Sequence, residues 1–201
     1  MGLGDLQHAD AVSESAVFST LGQAGLGGVT HLLAERLAYA ADALTGTLRK
    51  FTDVMTHEDR LLEPLRWKKP AKVFVNSMSD LFHEDVPNGF IDEVFATMAA
   101  GHRHTYQVLT KRPERMRAYM SAADLEERIH WASLNRFGHT PDFDPSVDSW
   151  TTGRWPLPNV WLGVSVEDQQ RADERIPLLL QTPAAVRFIS AEPLLGPIDL
   201  E

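Results

Sequence analysis

Four clusters of polar residues follow apolar runs in this sequence, and each carries groups that bind ligands or move protons. Asn76, Ser77, Ser79 and Asp80 close the run that begins at Lys72. Thr110, Lys111 and Arg112 follow His104–Leu109, Ser165 and Glu167 follow Asn159–Val164, and Ser190 and Glu192 follow Ala185–Ile189. General acid–base work needs carboxylates and amines held near one another, so Glu192, Lys111 and Asp80 are the catalytic candidates. Asn76, Ser77, Ser79, Thr110, Arg112, Ser165, Glu167 and Ser190 are the candidates for holding a ligand. Glu192 stands between Ala191 and Pro193. A residue before proline avoids helical geometry, so Glu192 is poorly explained as a first-turn cap. A buried carboxylate there needs a partner, which Lys111, Arg112 or a ligand amine or hydroxyl would supply. Lys111 and Arg112 ahead of Pro113 also suit a phosphate or carboxylate at a helix N-terminus. Taken singly, each residue is explained equally well as a helix cap. All four clusters together favour a shared site.

Other groups carry weaker signals. Trp67, Lys68 and Lys69 combine a ring with two cations, which suits stacking on a base, although a packed ring with solvated lysines is the commoner arrangement. His102 and His104 alternate, and His57 and His83 stand beside carboxylates. Surface histidines are commoner than ligands, so no metal site is expected. Neither G-x-G-x-x-G nor a Walker loop is present.

The elements that must position these groups alternate. Lys72–Asn76, His104–Leu109, Asn159–Val164 and Ala185–Ile189 read as short buried strands. Phe90, Ile91, Val94, Phe95 and Met98 mark a helix with Asn88 as its cap. Pro113 belongs at the start of another helix. Ser121 and Asp124 have capping-box spacing for a helix over about residues 122–135, and a last helix spans about 168–180. Strand–helix alternation predicts a parallel α/β sheet, whose strand carboxyl ends carry the ligand site. Four strands are half of the eight in a closed barrel, so the reading is an incomplete (β/α) barrel or an open sheet. Residues 1–28 are expected to be poorly ordered, with Thr30 capping a helix through Leu32–Leu44 and residues 29–201 forming one domain. Four prolines mark residues 138–158 as a loop insertion.

Composition narrows the classes. The 201 residues include no cysteine, which excludes a disulfide scaffold and a thiolate-held zinc or iron–sulfur site. No apolar run is long enough to span a bilayer and no signal peptide is evident, so the expected setting is cytoplasmic, away from membranes. A net charge of −9 opposes a general nucleic-acid coat but allows a local basic site.

The segments LRWKKPAKVFVNSMSDLFHEDVP, YQVLTKRPERM, VWLGVSVEDQQRADERIPLLLQTPA and VRFISAEPLLGPIDL resemble the phage-associated three-Cys-motif family of unknown function, across most of residues 61–200. That family is grouped with the radical S-adenosylmethionine barrels. The resemblance implies a radical-SAM-like incomplete (β/α) barrel with S-adenosylmethionine as cofactor. It also implies a cluster motif of three cysteines. Residues 28–36 resemble the end of that motif, with Val29 and Leu32 at cysteine positions and the earlier one near Gly22. Valine and leucine cannot ligate iron, so an iron–sulfur cluster is not expected here. Relatives continue past residue 201, which implies a truncated copy.

Three functional expectations result. The first is an enzyme derivative whose pocket holds S-adenosylmethionine or a nucleotide, with Glu192, Ser165 and Asp80 on its polar groups. The second is a phosphate- or nucleic-acid-binding module using Lys111, Arg112, Arg115, Lys68 and Lys69. The third is a non-functional remnant that self-associates through an open sheet edge. The partner classes are accordingly a nucleotide, a nucleic acid or a protein.

Overall fold

The computed structural model describes residues 18–20, 54, 56–76, 79–138 and 155–200. The expectations for the capped helix at residues 30–44, for the lost cysteine positions, for Ser77 and for most of the 138–158 insertion lie outside the described residues. Five strands form one sheet: β1 Phe18–Thr20, β2 Lys72–Val75, β3 Thr105–Thr110, β4 Val160–Ser165 and β5 Val186–Ser190. The helices are α1 Glu63–Arg66, α2 Asn88–Ala100, α3 Pro113–Met120, α4 Leu125–Phe137 and α5 Gln169–Gln181. A short 3-10 turn precedes them at Glu58–Arg60.

Strands β2 to β5 are all parallel and lie side by side in chain order. A doubly wound sheet reverses its order at a switch point, whereas a (β/α) barrel adds each strand beside the last. The order is that of an incomplete barrel, as expected. β1 pairs antiparallel with β2, Phe18 opposite Val75. It falls within the segment expected to be poorly ordered, whose sparse apolar residues gave no strand signal.

The strand period of two divides the sheet into two faces. Val73, Val75, Tyr106, Val108, Leu162 and Val164 are buried beneath the helices together with Phe95, Met98 and Met116. The opposite face carries Phe74, Gln107, Leu109, Trp161 and Phe188, all partly buried. Lys72 reaches along this face to place its ammonium 5.7 Å from the Trp161 ring centre. Gly163 is required there, because a Cβ would lie 2.6 Å from the Phe188 ring. β5 bonds only to β4 among the described residues, and Leu194 and Leu195 beyond it are exposed.

Several expected caps are replaced. Pro87 holds the N-cap position of α2, while the Asn88 side chain accepts a hydrogen bond from Arg115 Nη2 at 2.9 Å. Asp124 precedes α4 but makes no capping bond, because its carboxylate is drawn to Arg128 Nη1 at 2.5 Å; Ser121 ends α3. Pro113 opens α3 as expected. Among the described residues no helix is long and apolar enough to cross a membrane.

His104 fastens the lower end of the sheet. Its Nδ1 accepts from the Ala71 backbone N–H at 3.1 Å, so the proton resides on Nε2, which donates to the Pro64 carbonyl at 2.9 Å. Burial lowers its pKa from 6.5, outweighing the opposing effect of the Pro64 bond. The unfolded chain takes up a proton there below pH 6.5 and the native chain resists it. Stability from this site is therefore complete above pH 6.5 and declines as pH falls, by at most about 1.4 kcal/mol per unit. Urea unfolding at pH 7.5 and 5.5 should show a larger loss for the wild type than for a His104→Gln variant.

Candidate functional site

The carboxyl ends of β2 to β5 bring the predicted clusters to one rim. The register pairs Thr110 with Val164 and Ser165 with Ser190. One residue further along β3, Lys111 comes opposite Ser165. Lys111, Ser165 and Ser190 therefore come to one level of the partly open face, and Glu167 follows two residues past the end of β4.

Two carboxylates organise the rim. Asp80 accepts four hydrogen bonds. Its Oδ1 takes the Thr110 hydroxyl at 2.7 Å and the Phe82 N–H at 2.9 Å; its Oδ2 takes the Lys111 N–H at 3.0 Å and Arg112 Nη1 at 2.9 Å. Thr110 Oγ1 in turn accepts from the Arg112 N–H at 2.9 Å. Asp80, expected to be catalytic, is thus saturated by protein donors and ties the loop after β2 to the end of β3. Glu167 is the second. It is buried and lies between Lys111 Nζ at 2.5 Å and Arg175 Nη1 at 3.0 Å. Burial alone would raise its pKa, but the hydrogen bond and charge of Lys111 and the charge of Arg175 outweigh it and lower the value. Glu167 is consequently an ionised acceptor, not a proton carrier. Arg175 also donates to the Ser165 carbonyl at 2.7 Å, and the Leu195 N–H donates to the Glu167 carbonyl at 2.7 Å.

Glu192 differs from its expectation. It is exposed, not buried, and has no hydrogen bond or ion pair among the described residues. Its suggested partners are engaged elsewhere, Lys111 with Glu167 and Arg112 with Asp80. Ser79 is exposed, and its N–H closes the turn to the Asn76 carbonyl at 3.1 Å. Asp168 is a helix cap, accepting from the Arg171 N–H at 2.8 Å. Arg115 donates to the carbonyls of His83 and Val86 and to Asn88, so it braces the loop before α2.

Asn76 carries a feature that the sequence did not announce. Its φ is +58°, the left-handed region that asparagine tolerates better than most residues. It is only 8% exposed, and its Oδ1 is buried without a hydrogen-bond partner among the described residues. A buried acceptor left unpaired costs about 1–3 kcal/mol, and backbone strain of this kind concentrates at functional sites. The rim therefore combines an unpaired buried acceptor with three cations, Lys111, Arg112 and Arg175, against two carboxylates. Such a set can hold an anionic group and accept a proton donor from the same ligand. The chain has no cysteine, so it offers no thiolates for the iron–sulfur cluster that the resemblance implies, and no step through a cluster follows.

Searches of the curated proteins and of the solved structures return no match. A family model described as "Protein of unknown function (DUF5131)" matches residues 28–201, which includes every block that carried the resemblance. With all four rim-forming strands inside that span, the chain belongs to this uncharacterised family.

Proposed function

We propose that the rim is a binding site for a small polar ligand of the S-adenosylmethionine or nucleotide class, on a radical-SAM-like partial barrel of the phage-associated three-Cys-motif type. The observation that carries this reading is Asn76, whose buried Oδ1 lacks a partner among the described residues and whose backbone is held at positive φ. The sequential strand order supports the barrel relationship. In this reading Asn76 Oδ1 accepts from a ligand N–H or O–H. Lys111 and Arg112 face its carboxylate or phosphate. Glu192, exposed at the end of β5, is the carboxylate open to an amine or hydroxyl. Asp80 and Arg175 are positioning residues, holding Lys111 and Glu167 in place through the bonds described above.

Thermal unfolding with and without S-adenosylmethionine or ATP tests the reading. A ligand that binds only the native state stabilises it by about 2.7 kcal/mol at a hundred times its Kd. One of the two should raise the midpoint in a concentration-dependent way. A midpoint unmoved by millimolar amounts of either would remove the proposal.

A further inference from the structure

The opposite end of the sheet has a different character. Of the nineteen lysines and arginines, Arg36, Arg49, Lys50 and Arg154 fall outside the described residues, which leaves fifteen. Ten of these donate to a carboxylate, a carbonyl or a side-chain amide. The other five, Arg66, Lys68, Lys69, Lys72 and Arg103, have no hydrogen bond or ion pair among the described residues, and all five are exposed. They gather at the amino ends of β2 and β3. The Ala71 N–H bonds to His104, the Thr105 N–H donates to the Ala71 carbonyl at 2.9 Å, and Trp67 packs edge-on against the His104 ring at 5.7 Å. These contacts lay residues 66–72 against residues 102–105.

The parallel strands and their flanks carry no acidic residue. Residues 64–79, 94–113, 155–166 and 175–191, which contain all four parallel strands, include no aspartate or glutamate. These stretches therefore contribute no carboxylate beside the five cations, and Glu63, the acid nearest Arg66 in the chain, is paired with Arg60 at 2.8 Å. An open cavity of about 500 Å³ lies beside two of them, lined by Trp67, Lys68, Lys69, Pro70 and Ala71.

We propose that this end of the barrel binds the phosphate backbone of a single-stranded nucleic acid. Five exposed cations on two chain segments, Lys72 among them with its ammonium over the Trp161 ring, exceed what one phosphate needs and suit a repeating anion. The cavity beside Lys68 and Lys69 gives the strand a seat. The site lies at the opposite end of the strands from the rim and stands independently of the ligand proposed there.

Fluorescence anisotropy of a labelled single-stranded oligonucleotide, titrated with the full chain at several salt concentrations, tests the inference. Five phosphate contacts on a single strand predict a slope of log K against log salt of about −3.5, or roughly a hundredfold loss between 50 and 200 mM. A Lys68→Ala/Lys69→Ala variant should melt like the wild type, bind more weakly and reduce that slope by about 1.4. Asn76→Gly should leave oligonucleotide binding unchanged. Absence of binding at low salt would overturn the proposal. So would an affinity unaffected by the double substitution, or displacement of the strand by pyrophosphate at equal phosphate concentration. Anionic phosphatidylserine vesicles that bind more tightly than the oligonucleotide would assign the face to a membrane surface and refute the nucleic acid.

Discussion

Replacing Asp80 with alanine is expected to destabilise the protein by about 3–5 kcal/mol, which places it among the most damaging single changes available. The carboxylate accepts from Thr110 Oγ1, the N–H groups of Phe82 and Lys111, and Arg112. Arg112 is partly exposed and can turn to water, so the ion pair contributes the smaller share. The larger share comes from donors that remain buried: each orphaned one costs about 1–3 kcal/mol, and both Phe82 and Thr110 are shielded from solvent. Asp80→Asn keeps the shape but turns an amide N–H₂ toward donors, so it should recover little of the loss. Urea unfolding measures the effect. The same variants should weaken ligand binding at the rim, because the Lys111 backbone loses its anchor. Wild-type stability in Asp80→Ala would mean that the β2 loop is held by something other than this carboxylate.

The second large effect is expected at Asp92. This residue is 7% exposed within α2 and accepts the Tyr119 hydroxyl of α3 at 2.7 Å. Arg128 of α4 approaches the same carboxylate at 3.3 Å, and its guanidinium lies 5.3 Å from the Tyr119 ring centre. Burial, reinforced by the hydrogen bond and charge of Asp92, raises the Tyr119 pKa, so the phenol stays a donor at every physiological pH. One carboxylate thus joins three helices. Asp92→Ala should cost about 3–5 kcal/mol, because the tyrosine hydroxyl loses its buried acceptor and the arginine keeps only Asp124 as a counter-ion. Tyr119→Phe removes one partner and leaves the ion pair, so about 1 kcal/mol is expected. Denaturant midpoints of the two variants distinguish these values. Equal losses would show that the hydroxyl, not the ion pair, holds the helices together.

The fold was legible because its signals are local. KVFV, TYQVL and VWLGV are short β-branched or aromatic runs, and the structure moves their ends by one residue. The parallel arrangement followed from strand–helix alternation, and the rim from the rule that carboxyl ends face a common mouth. The caps at Asn88 and Asp124 misled because each side chain found a distant or stronger partner, Arg115 and Arg128. Asp124–Arg128 is an i,i+4 pair legible in the spacing, whereas Asn88–Arg115 depends on tertiary contact and leaves no trace there. For the same reason Glu192, set between an alanine and a proline, read as a buried acid although β5 leaves it exposed.

Asn76 could be nominated from its place at a strand end, but its positive φ and unpaired oxygen belong to three-dimensional structure alone. The basic end was half visible. Trp67, Lys68 and Lys69 stood together in the sequence, whereas Arg103 joins them only through the contact of Ala71 with His104, thirty-three residues away.

The most direct test is calorimetric titration of S-adenosylmethionine, and separately ATP, into the wild type and an Asn76→Gly variant. Glycine accepts the left-handed backbone without strain and removes the unpaired oxygen, so stability should equal or exceed that of the wild type, by up to about 1–3 kcal/mol. One ligand should bind the wild type, and its affinity should fall at least tenfold in Asn76→Gly, the loss expected when a buried acceptor's bond to the ligand disappears. Equal affinities in the two proteins, or no heat from either ligand with the wild type, would contradict a site built around Asn76.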